Sequence, residues 1–195
     1  MPPLDGIRGL AILLVLLLHF RAPDLTHPLK GILGLGWTGV QLFFVLSGFL
    51  ITGILLDTRS CSNYFSSFWM RRTLRIFPLY FLALSVFLVA APAVLPVPKE
   101  ALPPAADQVY YWTYLNNWIP MGEEGRLVHV LGHFWSLAVE EQFYLVWPVV
   151  VWLVPPRMLL RGCAVACLLI LAARSWAFFT AGDLGMVYRN TVLRA

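Results

Sequence analysis

Charge is what this sequence has least of. Asp, Glu, Lys and Arg make up 12% of its 195 residues, about half the share of a soluble domain. So few charges cannot cover the surface of a compact ball, which excludes an ordinary soluble domain. At 59% hydrophobic residues the chain is also too apolar to stay disordered. Cysteine is scarce: Cys61, Cys163 and Cys167 make no even disulfide framework. Cys163 and Cys167 stand one helical turn apart in an apolar run and read as small packing residues. There is no metal-ligand spacing, no internal repeat and no low-complexity tract. The net charge of +4 does not point to nucleic acid, because the basic residues lie between apolar runs and not in one solvated patch.

What the sequence does have suits a bilayer. Mean hydropathy is +0.75 and eight tryptophans are present, a residue that gathers at membrane interfaces. Five apolar segments are expected to span: 9–20, 36–56, 76–97, 134–154 and 162–181. The first is short of the roughly 20 residues a crossing needs, and extending it to Leu4 brings Arg8 into the helix. It resembles the apolar core of a signal peptide. However, Asp5 precedes it and His19-Phe20-Arg21-Ala22-Pro23 is a poor cleavage site, so it is read as retained. Arg59, Arg71, Arg72, Arg75, Arg157 and Arg161 fall in loops on the side of the N-terminus and Arg8. Arg21, Lys30, Lys99 and Arg126 fall on the other. That bias places the N-terminus in the cytoplasm. The external segment 98–132 holds Tyr110, Tyr111, Trp112, Tyr114 and Trp118, which are expected to lie flat at headgroup level.

Three groups of polar residues interrupt the apolar pattern. Arg8 and His19 are eleven residues apart, which puts them on one helix face about 16 Å apart along the axis. Ionisable groups within a span usually face a cavity, and an imidazole there suits general-base or nucleophilic work. The alternative is that Arg8 snorkels to the interface and His19 caps the outer end. Arg71, Arg72 and Arg75 crowd one turn and repel unless an anion sits among them; guanidinium forks suit phosphate oxygens. A positive-inside anchor is the alternative. Glu140 and Glu141 follow Ser136 near the head of an apolar helix. They either favour the positive helix end or hold His19 or an Arg. Gly39, Gly48 and Gly53 in the second span read as close-packing positions. His27 and His129 read as solvated loop residues.

Four motifs in order carry a resemblance: Leu4-Asp5-Gly6-Ile7-Arg8-Gly9 through His19; Phe44-Val45-Leu46-Ser47-Gly48-Phe49-Leu50-Ile51; Arg71-Arg72-Thr73-Leu74-Arg75-Ile76-Phe77-Pro78; and Phe134-Trp135-Ser136-Leu137 to Glu140-Glu141-Gln142-Phe143-Tyr144. Together they resemble the membrane-bound acyltransferase-3 family, which includes O-acetylases of lipopolysaccharide, peptidoglycan and other bacterial glycans. The resemblance implies an all-α polytopic transmembrane helix bundle of about five spans here, the N-terminal half of a ten-span domain covering residues 1–195. It implies an acyl-CoA donor, acetyl-CoA, entering from the cytoplasm, and no permanently bound cofactor or metal. The acceptor is a glycan or lipid-linked sugar hydroxyl at a bacterial inner membrane. Carried over, the family's catalytic positions fall on His19, Glu141 and Glu140, and its donor-binding positions on Arg8, Arg72 and Arg75. His19 as general base or as acyl carrier both remain open. A proton-coupled transporter, with Arg8, His19, Glu140 and Glu141 as relay, and an inactive fragment of the acyltransferase are the competing readings.

Overall fold

A computed structural model describes residues 2–19, 36–97, 102–119, 131 and 134–181, without the side chains of 2, 3, 5, 17–19, 36, 37, 177, 178 and 181. All regular structure among them is helical. The chain divides into two compact units, Met1–Thr58 and Arg59–Ala195. Among the described residues, three helical stretches are long and apolar enough to cross a membrane: Thr38–Asp57, Tyr64–Val94 and Pro156–Trp176. The first expected span contributes a shorter apolar run, Gly6–Leu16.

The N-terminal unit pairs α1 (Pro2–His19) with α2 (Gly36–Asp57). Their closest approach is at Gly39, where an added Cβ would stand 2.6 Å from the Ala11 carbonyl oxygen and 3.0 Å from Leu14 Cβ. Ala11 is fully buried against this contact. Absence of a side chain lets the backbones meet, the small-residue packing expected in lipid. Gly48 and Gly53 meet nothing within 4 Å, so the packing role belongs to Gly39. Leu10, Leu13, Val45 and Phe49 point outward. Such a surface suits hydrocarbon and would be a liability in water.

The second unit is built on α3 (Tyr64–Leu84), which continues through a π-helical stretch, Ser85–Ala90, into Ala91–Val94. The helix starts twelve residues before the expected third span. Arg71, Arg72 and Arg75 therefore stand inside a helix and not in a loop, and the reason is a partner. The helix α5 (Phe134–Leu153) runs antiparallel to α3 and accepts three hydrogen bonds, two from α3 and one from Arg59 ahead of it. Arg59 Nη2 donates to the Trp152 carbonyl at 2.6 Å, Tyr64 Oη to Pro148 at 3.0 Å, and Trp69 Nε1 to Tyr144 at 3.0 Å. The Tyr80 and Phe134 rings close the other end at 5.0 Å. So α5 lies along α3 from Tyr64 to Tyr80.

Beyond Tyr80 the covering element is the connecting segment, with α4 (Ala105–Trp112) and a 3-10 turn, Asn116–Trp118. Tyr110 and Trp118 are exposed, as an interfacial reading expects, but Tyr111, Trp112 and Tyr114 turn inward. With Tyr80, Leu84, Leu88, Leu131, Phe134 and Ala138 they make the core of the unit. Aromatic rings can bury on α3 at little polar cost because Tyr80 Oη donates to the Tyr111 carbonyl at 2.7 Å. The last helix, α6 (Pro156–Ala181), is mostly exposed and apolar.

Candidate active site

The four consecutive positions from Glu140 to Phe143, followed by Tyr144, fan around α5 at about 100° per residue. Each polar member therefore meets a different neighbour. Tyr144 Oη donates a hydrogen bond to the Glu140 carboxylate one turn earlier. The Tyr144 ring also receives Arg72, whose guanidinium carbon lies 5.0 Å from its centroid and 5.7 Å from that of Phe68. Guanidinium–ring contacts are worth about 0.5–2 kcal/mol, more as water is excluded. The Arg72 charge also acts on Glu141. Tyr144 thus stands between Arg72 and Glu140, and Glu141 lies within reach of the Arg72 charge.

The other arginines of the cluster separate. Arg71 donates to Ser67 Oγ at 2.6 Å on the exposed side. Arg75 heads a groove of about 460 Å³ between α3 and α5. Its wall includes Leu79 and Ala83 from α3, Phe87 from the π-helical stretch that follows, and Phe134 and Leu137 from α5. Arg75, Leu79, Ala83 and Phe87 recur every four residues and make one continuous row about 18 Å long. The groove is mostly apolar, with the cation at one end and Tyr80 in its wall.

Gln142 locks the third neighbour. Its Nε2 donates to the Tyr114 carbonyl at 2.7 Å and to Asn117 Oδ1 at 2.8 Å, while its Oε1 accepts from Asn117 Nδ2 at 3.2 Å. Tyr114 takes a left-handed backbone, φ 55°, which an L-residue adopts at a cost. Its ring stacks on Tyr80 at 4.0 Å and on Phe77 at 5.3 Å. Burial, with the charge of Glu141 and then the nearby Tyr80 adding to it, pushes the Tyr114 hydroxyl well above the ordinary phenol range. It therefore keeps its proton at neutral pH. The sequence alone places Tyr114 in a headgroup belt and gives no role to Asn116 or Asn117. An Asn-Asn pair closing an aromatic run was the available signal.

Arg8 belongs to the N-terminal unit, where it lies over the Phe43 ring at 5.6 Å. His19 closes α1, and its side chain lies outside the described residues. So do His27, His129 and the other external basic residues Arg21, Lys30, Lys99 and Arg126.

A family model described as an acyltransferase domain matches residues 2–194. The peptidoglycan O-acetyltransferase OatA of Listeria monocytogenes is 31% identical over 207 residues, covering 100% of this chain. The O-acetyltransferase OatA of Staphylococcus aureus is 30% identical over 204 residues, again covering the whole chain. The chain spans 32% of the length of each of these relatives. No solved structure matches.

Proposed function

We propose, from the premise that the chain belongs to the acyltransferase-3 family of acyltransferase domains, that it serves in moving an acetyl group from acetyl-CoA to a hydroxyl of a cell-wall glycan at the membrane. The groove headed by Arg75 is the observation that carries this reading. An acyl-CoA has anionic phosphates at one end and a long, weakly polar arm ending in the thioester. A single cation followed by an apolar row about 18 Å long suits that sequence of chemistries. Arg72 stands one turn from Arg75 and adds a second cation near the same end, while its contact with Tyr144 fixes the carboxylate-bearing face of α5. Arg8 is assigned to the donor on the family pattern.

In this reading His19 takes the proton of the acceptor hydroxyl as its oxygen attacks the thioester carbonyl. The carbon–sulfur bond breaks, the new ester forms, and the thiolate of CoA leaves with the proton that His19 returns. On the family pattern Glu141 or Glu140 is the orienting acid. Holding thioester and hydroxyl together supplies much of the rate, because the bimolecular encounter is paid for in binding. The acceptor meets the site from the outer side and the donor from the cytoplasmic side.

Membranes carrying the protein, given radiolabelled acetyl-CoA and a glycan acceptor, test the scheme. Label is expected on the glycan, and His19→Ala should abolish transfer while acetyl-CoA binding survives. Arg75→Ala should weaken acetyl-CoA binding about ten- to hundredfold, the range for losing a charged hydrogen bond. Transfer by His19→Ala at the native rate, or unchanged donor affinity in Arg75→Ala, refutes the assignment.

A further inference from the structure

Arginine gathers where α5 turns into α6, and no acid accompanies it. Arg59 Nη2 donates to the carbonyl of Trp152, the second-last residue of α5, at 2.6 Å. That bond uses only one of the guanidinium's N–H donors. Residues 154 and 155 connect the helices. The Pro155 carbonyl accepts from the Met158 and Leu159 N–H groups at 2.9 Å each, so α6 opens from a hydrogen-bonded turn just after Trp152. Arg157 and Arg161 follow at once, both exposed. They share one face of α6, about 6 Å apart along its axis. The turn thus tethers three guanidinium groups to one end of the unit. Like charges at that spacing weaken a helix, and cations near its positive end weaken it further. The segments 58–99 and 142–182 hold no Asp or Glu, and Asp57 closes α2 in the other unit. Helix stability therefore does not account for these arginines, and no carboxylate in either segment offsets them.

We propose that Arg59, Arg157 and Arg161 dock the headgroup phosphate of one anionic phospholipid, whose acyl chains lie against the apolar surface beside them. That surface is open. Trp152 is 48% exposed, with its ring 5.8 Å from that of Phe65. Met158 is 61% exposed and Leu160 74%. On α6 these two flank the arginine face, one on either side at about 80°. A soluble anion would satisfy the cations and leave this apolar surface in water, where it is a liability. A lipid covers both. The stretch Pro156–Trp176 is long and apolar enough to cross a membrane, so its head falls where phosphates and acyl chains meet. Guanidinium forks match phosphate oxygens. A zwitterionic headgroup would bring an ammonium against three cations, so the lipid carries net negative charge. Such a site differs from a general excess of basic residues on one side of a membrane, because it holds one lipid at named positions. It is independent of the acyl-transfer reading and uses none of the residues assigned there.

The test is titration of the full chain in detergent micelles with phosphatidylglycerol or phosphatidylcholine, read by native mass spectrometry, which counts bound lipids. One phosphatidylglycerol should bind about tenfold tighter than phosphatidylcholine, or more. Arg157→Gln and Arg161→Gln change exposed side chains, so folding is not at stake. Each should weaken phosphatidylglycerol binding about tenfold, the low end for losing a charge-assisted hydrogen bond. Arg71→Gln removes an equal charge on the exposed side of α3, away from the turn, and should leave that binding within about twofold. Equal affinity for the two lipids overturns the site, as does native affinity in Arg157→Gln and Arg161→Gln. A loss in Arg71→Gln as large as in Arg157→Gln also overturns it, since diffuse positive charge then suffices. Displacement of the lipid by inorganic phosphate at the same concentration assigns the cations to a soluble anion and overturns the lipid.

Discussion

Replacing Trp69 by Phe should cost more stability than its change in size, and the reason is Pro148. Within α5, residue 148 would ordinarily donate its N–H to the carbonyl of Tyr144 one turn back. Proline has no such hydrogen, so that carbonyl is left without its helix partner. The Trp69 indole fills the vacancy at 3.0 Å from the neighbouring helix. Phe at 69 keeps an aromatic ring near Phe65, 5.2 Å away in the native pair, but cannot donate. The cost of an orphaned buried carbonyl is about 1–3 kcal/mol, added to a loss of ring area worth roughly 1 kcal/mol. A double-mutant cycle separates the two parts. In Pro148→Ala the backbone donor at 148 is restored, so Trp69→Phe should then cost only the ring area. The expected coupling is about 1–2 kcal/mol. Reversible unfolding of each variant in mixed micelles, followed by far-UV circular dichroism, gives the four free energies. A Trp69→Phe cost that is the same with proline and with alanine at 148 would refute the reasoning.

Gly39→Ala should separate α1 from α2, because the new methyl meets a backbone oxygen at 2.6 Å and backbone cannot swing aside as a side chain can. The expected loss is about 1–3 kcal/mol. Gly48→Ala and Gly53→Ala, which meet nothing within 4 Å, should be neutral or slightly stabilising by the same unfolding assay. Gln142→Glu preserves shape but turns a donor into an acceptor facing the Tyr114 carbonyl and Asn117 Oδ1. Amide exchange of residues 114–119 should speed up in this variant while that of 64–84 is unchanged; unaltered exchange at 114–119 would show that the glutamine does not hold the segment.

The motifs themselves were legible in the chain because lipid makes charge conspicuous. An arginine or glutamate in an apolar run is costly, so Arg72, Glu140 and Glu141 could be singled out by type alone. Helical spacing also placed Arg72 and Arg75 on one side of a helix. It could not divide their work, since both positions look alike until α5 arrives. Tyr144 then captures Arg72, and the groove leaves Arg75 open. The aromatic segment was misread in part for a similar reason. Tyr110 and Tyr111 are adjacent residues of one type, yet the first is exposed and the second gives its carbonyl to Tyr80. Composition does not distinguish an aromatic ring facing headgroups from one packed on a helix.

The start of α3 shows the same limit. Hydropathy begins the span at Ile76, where charge stops, but the helix begins at Tyr64 because Tyr64 and Trp69 have carbonyls of α5 to bond. Those bonds link residues more than seventy positions apart, and nothing in the local sequence announces them.

Alone, the sequence determined the solvent, the helical class and which side chains were expensive to hold in it, since each follows from local composition and the energy of leaving water. Only the tertiary structure decided which carbonyl Trp69 relieves and which arginine heads the groove. Those outcomes depend on the register between α3, α5 and the segment at Tyr114, set by contacts that exist only after the chain has folded.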